Sequence, residues 1–430
     1  MDKQIIKVVI AERQQQIGKT KLLQRAEHFD EHTCYVLVGI RRAGKSYTLY
    51  QDIQARLSAG NATVEDILYI NFEDERLASI KSDELGQLLD AYWEMYDQKH
   101  PLIYLDEIQN IGGWEKFARR LAEEKHHVMI TGSNAKMLSR EISSTLGGSY
   151  IQRNIYPFSF EEYLNFHGIQ LERNWEFQTE KRLAVLRHFN EYFYRGGFAE
   201  SFDKTDKREW LTSLYQKILM GDIVERNKIR NPRIFRLLAR KLADSVMQPT
   251  TLKRLEHIIK STGDSISPTV LKDYLDYMED AFLIFSIPNI VSPLTEQQTI
   301  VKRYFADNGI LNLFLTGGET KLLENIVAIH LNKLYPNTAE ELRLFYYHKG
   351  VEIDFCIPEA NMAIQVSHSI DDLGTYEREV GGLVKFLKTF KQYQGVIVTW
   401  DTERQITEDG IVVEAIPVWK WLLTMDRYWK

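Results

Sequence analysis

The run Gly39-Ile40-Arg41-Arg42-Ala43-Gly44-Lys45-Ser46 constrains this chain more than any other stretch. An apolar segment, 34–38, enters it and a helical pattern, 46–57, leaves it. Glycines at a strand-to-helix turn let backbone N–H groups curl around an anion, and the helix N-terminus adds its positive end. The run therefore reads as a phosphate cradle for ATP, in which its residues and the following Tyr47 contact the nucleotide. Lys45 neutralises the β- and γ-phosphates, and the Ser46 hydroxyl ligates Mg. An ordinary glycine turn is the plain alternative.

Such a loop needs a parallel sheet around it. Short apolar runs at 34–38, 67–72, 102–105, 128–131 and 150–155 alternate with helical patterns at 46–57, 83–96 and 114–124, as in parallel strands covered by helices. The third run ends in Asp106-Glu107. Asp106 is expected to hold Mg, directly or through water, and Glu107 to take the proton of the attacking water; a solvated strand end is the rival reading. The fourth ends Thr131-Gly132-Ser133-Asn134, placing Ser133 and Asn134 as γ-phosphate sensors or as caps of the next helix.

The remaining length implies further domains, since 430 residues exceed one ordinary core at roughly 150 residues per domain. A composition of 44% hydrophobic and 27% charged residues is that of a soluble globular chain. No apolar run reaches membrane-spanning length, and the N-terminus turns polar at Glu12-Arg13-Gln14 before a signal core forms. A cytoplasmic location without a membrane partner is expected. Cys34 and Cys356, alone and far apart, exclude a disulfide framework or zinc site and read as core thiols.

Beyond 157 the pattern is helical as far as 285. Helices at 252–260 and 268–281, separated by a turn and followed by strand-like 282–287, fit a winged helix. Pro288, Pro293 and the polar Thr295-Glu296-Gln297-Gln298 read as a linker. A helix at 322–334, strands at 342–347, 351–357, 363–366 and 395–399, and a helix at 375–390 follow.

With these elements in order, the chain resembles the AAA-type ATPase family of bacteria and archaea that carries a C-terminal domain of unknown function. The resemblance rests on the phosphate loop and on Tyr69-Ile70-Asn71-Phe72-Glu73-Asp74-Glu75-Arg76, Tyr104-Leu105-Asp106-Glu107-Ile108-Gln109 and Thr131-Gly132-Ser133-Asn134-Ala135. It continues in Tyr194-Arg195-Gly196-Gly197-Phe198-Ala199-Glu200 and Asp222-Ile223-Val224-Glu225-Arg226. It implies an α/β P-loop core with a five-stranded parallel sheet over 1–157, a helical lid over 158–240, a winged helix over 241–293, and an α/β restriction-nuclease-like domain over 294–430. It also implies a homo-oligomeric ring. The family often shows Leu-Arg-Gly-Arg before its last core strand, where this chain has Leu146-Gly147-Gly148-Ser149. A trans-acting arginine finger then falls to Arg140 or Arg153, with surface arginine as the alternative for each. Arg195 is expected either at the γ-phosphate of its own subunit or simply at a helix end.

Nucleases of the restriction type set an acid on a helix, an Asp at a strand end and Glu-x-Lys on the next strand around magnesium. Here Glu324, Asp354 and Gln365 take those places, and Ser367 replaces the lysine. A neutral amide is a weaker ligand than a carboxylate, and a serine supplies no positive charge. The expectation is a degenerate site that binds without cutting, with a displaced lysine such as Lys349 as the route to rescue.

A net charge of -6 does not advertise nucleic acid binding by the whole chain. Locally, Arg233, Arg236 and Arg240 recur at helical spacing beside Lys241, as a DNA phosphate track or a solvated face. The second helix of the winged-helix segment carries Lys272 but also Asp273, Asp276, Glu279 and Asp280, which repel phosphate. Two functional classes follow: a DNA-binding ATP-driven motor or remodeller, and a nucleotide-dependent protein-interaction switch with slow turnover.

Overall fold

A computed structural model describes residues 1–97, 99–133, 146, 148–297, 299–338 and 340–428. They form two compact units: Met1–Tyr156 with Asp280–Phe282, and Pro157–Glu279 with Leu283–Lys430.

The first unit is a parallel sheet wrapped by helices. Helix α1 (Lys3–Ile17) starts at Asp2, whose carboxylate accepts the Gln4 N–H; its Ile6, Val9 and Ile10 enter the core. Strand β1 (Cys34–Val38), α2 (Lys45–Ser58), β2 (Ile67–Asn71), α3 (Gly86–Met95), β3 (Leu102–Asp106), α4 (Glu115–Glu123), β4 (Val128–Gly132) and β5 (Tyr150–Asn154) follow. The sheet order is β2-β3-β4-β1-β5, and every pairing is parallel. Strands β1 to β4 read as continuous apolar runs because helices cover both faces. Helix α4 shows the complementary pattern, burying Phe117, Ala118 and Leu121 while Arg119 and Arg120 pair outward with Glu123 and Glu124. Because β1, β4 and β3 are neighbours, the loops leaving their C-terminal ends meet at one edge of the sheet, where such folds bind ligands.

The second unit begins with helices: α5 (Phe160–Phe166), α6 (Thr179–Arg195), α7 (Lys207–Lys217), α8 (Pro232–Asp244), α9 (Leu252–Lys260) and α10 (Pro268–Asp280). Their starts are chemically marked. Ser159 and Glu162 form a reciprocal capping box on α5, Asn231 precedes the N1 proline of α8, and Thr251 caps α9. Strand β6 (Ile284–Pro288) pairs antiparallel with β7 (Val301–Phe305). The polar stretch expected as a linker is therefore the connection of a hairpin: Pro288 ends β6, paired with Val301, and Pro293 stands in the connection. After α11 (Glu319–Leu334) come β8 (Phe345–His348), β9 (Glu352–Ile357), β10 (Met362–Val366), α12 (Gly382–Thr389), β11 (Gln394–Thr399), β12 (Arg404–Glu408), β13 (Ile411–Pro417) and α13 (Val418–Tyr428). These strands form a mixed sheet in the order β12-β13-β11-β10-β9-β8, with β10, β11 and β13 mutually parallel. Both cysteines are free and buried. Among the described residues, no helix is long and apolar enough to cross a membrane.

Candidate nucleotide site

The loop after β1 is shaped by what its backbone touches. At Gly39 φ is +155°, and an added Cβ would lie 2.1 Å from the Ile155 carbonyl oxygen. Gly44, left-handed at φ +101°, caps α2. Ile40 and Ala43 bury their side chains, so what they can offer an anion is backbone. Arg41 leaves the loop to bond Glu73 at 3.0 Å. The loop is clasped from outside by Arg25, whose guanidinium donates to the carbonyls of Ala43 at 3.1 Å and Tyr156 at 3.0 Å. Gln51 fixes Arg25 in turn through its N–H and C=O, both at 2.9 Å. Arg25 lies in a polar segment without periodicity, and nothing in the sequence marks it.

Lys45, 4% exposed, donates to the carbonyls of Gly39 at 3.1 Å and Ile40 at 3.3 Å. Its ammonium lies 3.8 Å from Glu107, so the loop lysine and the strand-end acid share one site. Tyr47 is half exposed and packs edge-on against Tyr50.

Asp106 is fully buried and accepts hydrogen bonds from Thr131 Oγ1 and, at 2.6 Å, from Tyr69 Oη. Burial pushes its carboxyl above the usual range and the neighbouring Glu107 adds to this, against hydrogen bonds from Thr131, Tyr69 and Ser46 that pull it down. Ser46 therefore lies close enough to Asp106 to draw its carboxyl down, which brings the two expected magnesium ligands together. A hydroxyl and a carboxylate on adjoining elements are hard oxygen donors, a pair that suits magnesium when phosphates and water complete its octahedron.

Glu107 has a left-handed backbone, φ +54°, a conformation that costs a non-glycine residue energy and gathers at functional sites. Its N–H donates to Thr131 Oγ1 at 2.9 Å. Gln109 Nε2 donates to Glu107 Oε2 and lies 3.3 Å from Ser133 Oγ. Ser133, the expected phosphate sensor, is thus joined through Gln109 to the expected base. Tyr69, Gln109 and Thr131 join the site although the sequence singles out none of them, and all three sit inside the family-like motifs.

The other expected residues are scattered. Asn134 and Arg140 lie outside the described residues. Arg153 is exposed on β5 with its guanidinium 5.9 Å from the centre of the Tyr35 ring. Arg195 is the half-buried last residue of α6, in the second unit.

Glu324, Asp354 and Gln365 do meet, from α11, β9 and β10, around a cavity of about 710 Å³. Asp354 accepts the Val366 N–H at 3.0 Å, while Gln365 accepts the Asp354 N–H at 3.3 Å and donates to Glu379. Burial, then the charge of Asp354, raises the Glu324 carboxyl to about 7. Lys349, the alternative source of positive charge, does not line this cavity. Lys349 is exposed and Ser367 bonds the Ser369 carbonyl. The cation is Lys302 of β7, fully buried, 2.9 Å from Asp354 and 3.4 Å from Glu324. It was missed because the segment holding it was read as linker and domain start.

An uncharacterized protein of Methanocaldococcus jannaschii is 34% identical over 402 residues, covering 90% of this chain and 88% of that one. The chain belongs to the family of that protein. An uncharacterized protein of Haemophilus influenzae is 29% identical over 418 residues, 95% of this chain and 98% of its own. Residues 31–164 match the AAA domain and residues 186–321 a domain of unknown function, DUF8612. The match to the AAA domain contains the whole cluster from Gly39 to Ser133 and identifies the first unit as an AAA-type P-loop ATPase core. Among solved structures, a Walker-type ATPase of Pyrococcus abyssi aligns at TM-score 0.40 with 16% identity, over 73% of this chain and 95% of that one. AMPPCP-bound DnaA of Aquifex aeolicus aligns at 0.25 with 15% identity, over 63% and 86%. These scores are too low for either to bear on function.

Proposed function

We propose that this chain hydrolyses ATP and couples the hydrolysis to DNA as a cytoplasmic, ring-forming motor or remodeller. The observation that carries the hydrolytic part is the convergence of Lys45, Ser46, Asp106, Glu107 and Ser133 at one sheet edge. Backbone N–H groups of the loop cradle the phosphates, and Lys45 exchanges its loop carbonyls for the β- and γ-phosphates. Ser46 and Asp106 would hold magnesium, which when bound would supply charge neutralisation at the transferring phosphoryl group. Glu107 orients the attacking water and takes its proton, while Gln109 sets the carboxylate angle and links it to Ser133. Arg195, Arg153, Asn134 and Arg140 are assigned to the γ-phosphate or the ring interface on sequence grounds.

The DNA part rests on α8, where Arg233, Arg236 and Arg240 are all exposed on one face. Arg233 is only loosely tied, 3.5 Å from Asp264. On this reading α9 and α10 with the β6–β7 hairpin serve as a winged helix, beside a helical lid and a nuclease-like C-terminal part that grips without cutting. The acidic α10 favours the second reading, a nucleotide-dependent protein-interaction switch.

ATP turnover measured with and without duplex and branched DNA separates the two. A motor is expected to be stimulated several-fold, with DNA affinity falling steeply as salt rises. Replacing Arg236 and Arg240 by Ala is expected to flatten that salt dependence by roughly 0.9 in log–log slope for each phosphate left without its cation. Turnover indifferent to every DNA, with no salt-sensitive binding, contradicts the motor reading. Sedimentation in ATP tests assembly: monomers with full activity contradict the ring.

A further inference from the structure

In the fold that the C-terminal part resembles, a helix acid and a strand-end Asp converge on a divalent ion. Here the corresponding Glu324 and Asp354 converge on an ammonium. Lys302 Nζ lies 2.9 Å from Asp354 Oδ1, 3.4 Å from Glu324 Oε1 and 3.0 Å from Glu352 Oε1. It also lies 5.6 Å from the centre of the Tyr346 ring.

The rest of the donor set is committed as well. Tyr304 Oη donates to Glu324 at 2.6 Å, and Val366 N–H occupies the second oxygen of Asp354. Glu379, the nearest substitute for the carboxylate missing at Gln365, receives hydrogen bonds from Gln365 and from Arg378. Among the described residues, no group of three or more His, Cys, Asp or Glu is arranged to hold a metal ion. A divalent ion entering here would sit beside a buried ammonium, with little water to screen the repulsion. The residues present do not fit a metal.

We propose that Lys302 is the resident cation of the acid cluster in the wall of this cavity, paired with Glu324, Glu352 and Asp354: its ammonium stands in for the divalent ion of the resembled fold, so the cluster takes no metal. Its carboxylates instead bind β7 to α11 and to β9 of the six-stranded sheet. A buried charged pair is costly to break from one side, because removing one partner strands the other. Removing the ammonium alone leaves a cradle of carboxylates that take up protons or a second cation, so Lys302→Met is expected to open a divalent site at pH values above the Glu324 titration.

The inference rests on the nuclease-like reading of this cavity, and the test keeps the two apart. Thermal unfolding and Mn²⁺ paramagnetic resonance are followed on the full chain without nucleotide, with Mn²⁺ as the probe. Wild-type protein is expected to show neither an Mn²⁺-dependent rise in Tm nor bound Mn²⁺ that depends on Asp354. Lys302→Met is expected to melt several degrees lower, to recover with Mn²⁺, and to lose that recovery when combined with Asp354→Asn. Mn²⁺ bound by wild type and released by Asp354→Asn overturns the assignment of Lys302 while supporting the nuclease-like reading; this arm decides even if Lys302→Met does not fold. A folded Lys302→Met, or the milder Lys302→Gln, that ignores Mn²⁺ overturns the cradle reading and the proposal with it.

Discussion

Glu107→Gln is expected to bind ATP about as tightly as the unaltered chain and to hydrolyse it roughly 10²- to 10⁴-fold more slowly, the usual worth of a positioned general base. The substitution is nearly isosteric and leaves the Glu107 N–H, which donates to Thr131, untouched. What disappears is the carboxylate facing Lys45 at 3.8 Å and receiving the Gln109 amide. Single-turnover hydrolysis beside equilibrium ATP binding separates the two effects. A smaller loss in the same direction is expected for Gln109→Ala, which leaves the base in place without its tether to Ser133. Unchanged turnover in Glu107→Gln would remove the base assignment.

Gly39→Ala should destroy nucleotide binding although it adds one methyl group. The backbone there is at φ +155°, and the new Cβ would lie 2.1 Å from the Ile155 carbonyl. That carbonyl belongs to backbone leaving β5, whose pairing with β1 ends in a 2.7 Å bond from the Ile155 N–H to the Val38 carbonyl. Neither strand can retreat without breaking the sheet edge. A clash of this kind combined with backbone strain costs more than about 3 kcal/mol, or a loss in ATP affinity on the order of 100-fold or greater if it appears in the loop rather than in global stability. Calorimetric titration with ATP, alongside a melting curve, reads both. Binding within a few-fold of wild type, with an unchanged Tm, would show that the loop is not held as described.

The first unit was legible because its signals are local and mutually consistent. Five apolar runs mark five strands, and Gly44 ahead of Lys45 marks the start of a helix that the loop requires. The residues that tune the site were not legible. Arg25 reaches the loop through a fold-dependent approach from a segment without pattern, and Gln109 gains meaning only when β3 and β4 lie side by side. The second unit shows the opposite failure. Pro288 and Pro293 resemble a seam, yet Pro288 ends β6 and pairs with Val301, and no local pattern announces that β7 sets Lys302 beside Asp354. The β12–β13 hairpin was missed although its signal is present. Asp409-Gly410 takes positive φ at both positions between strands paired from Glu408 to Ile411, a strong short-range turn signal. The exposed face of β12 diluted its hydrophobic alternation, and the turn went unread.

Lys45 and the acids opposite it are proposed to make a working ATP hydrolase. This is tested most directly by phosphate release from Mg-ATP, measured in parallel for wild type and Lys45→Ala. Lys45→Ala removes the charge that serves the β- and γ-phosphates without adding bulk to the loop. Wild type is expected to show steady, magnesium-dependent release that falls to background in Lys45→Ala; release that is equal in the two, or that needs no magnesium, would overturn the assignment of this site.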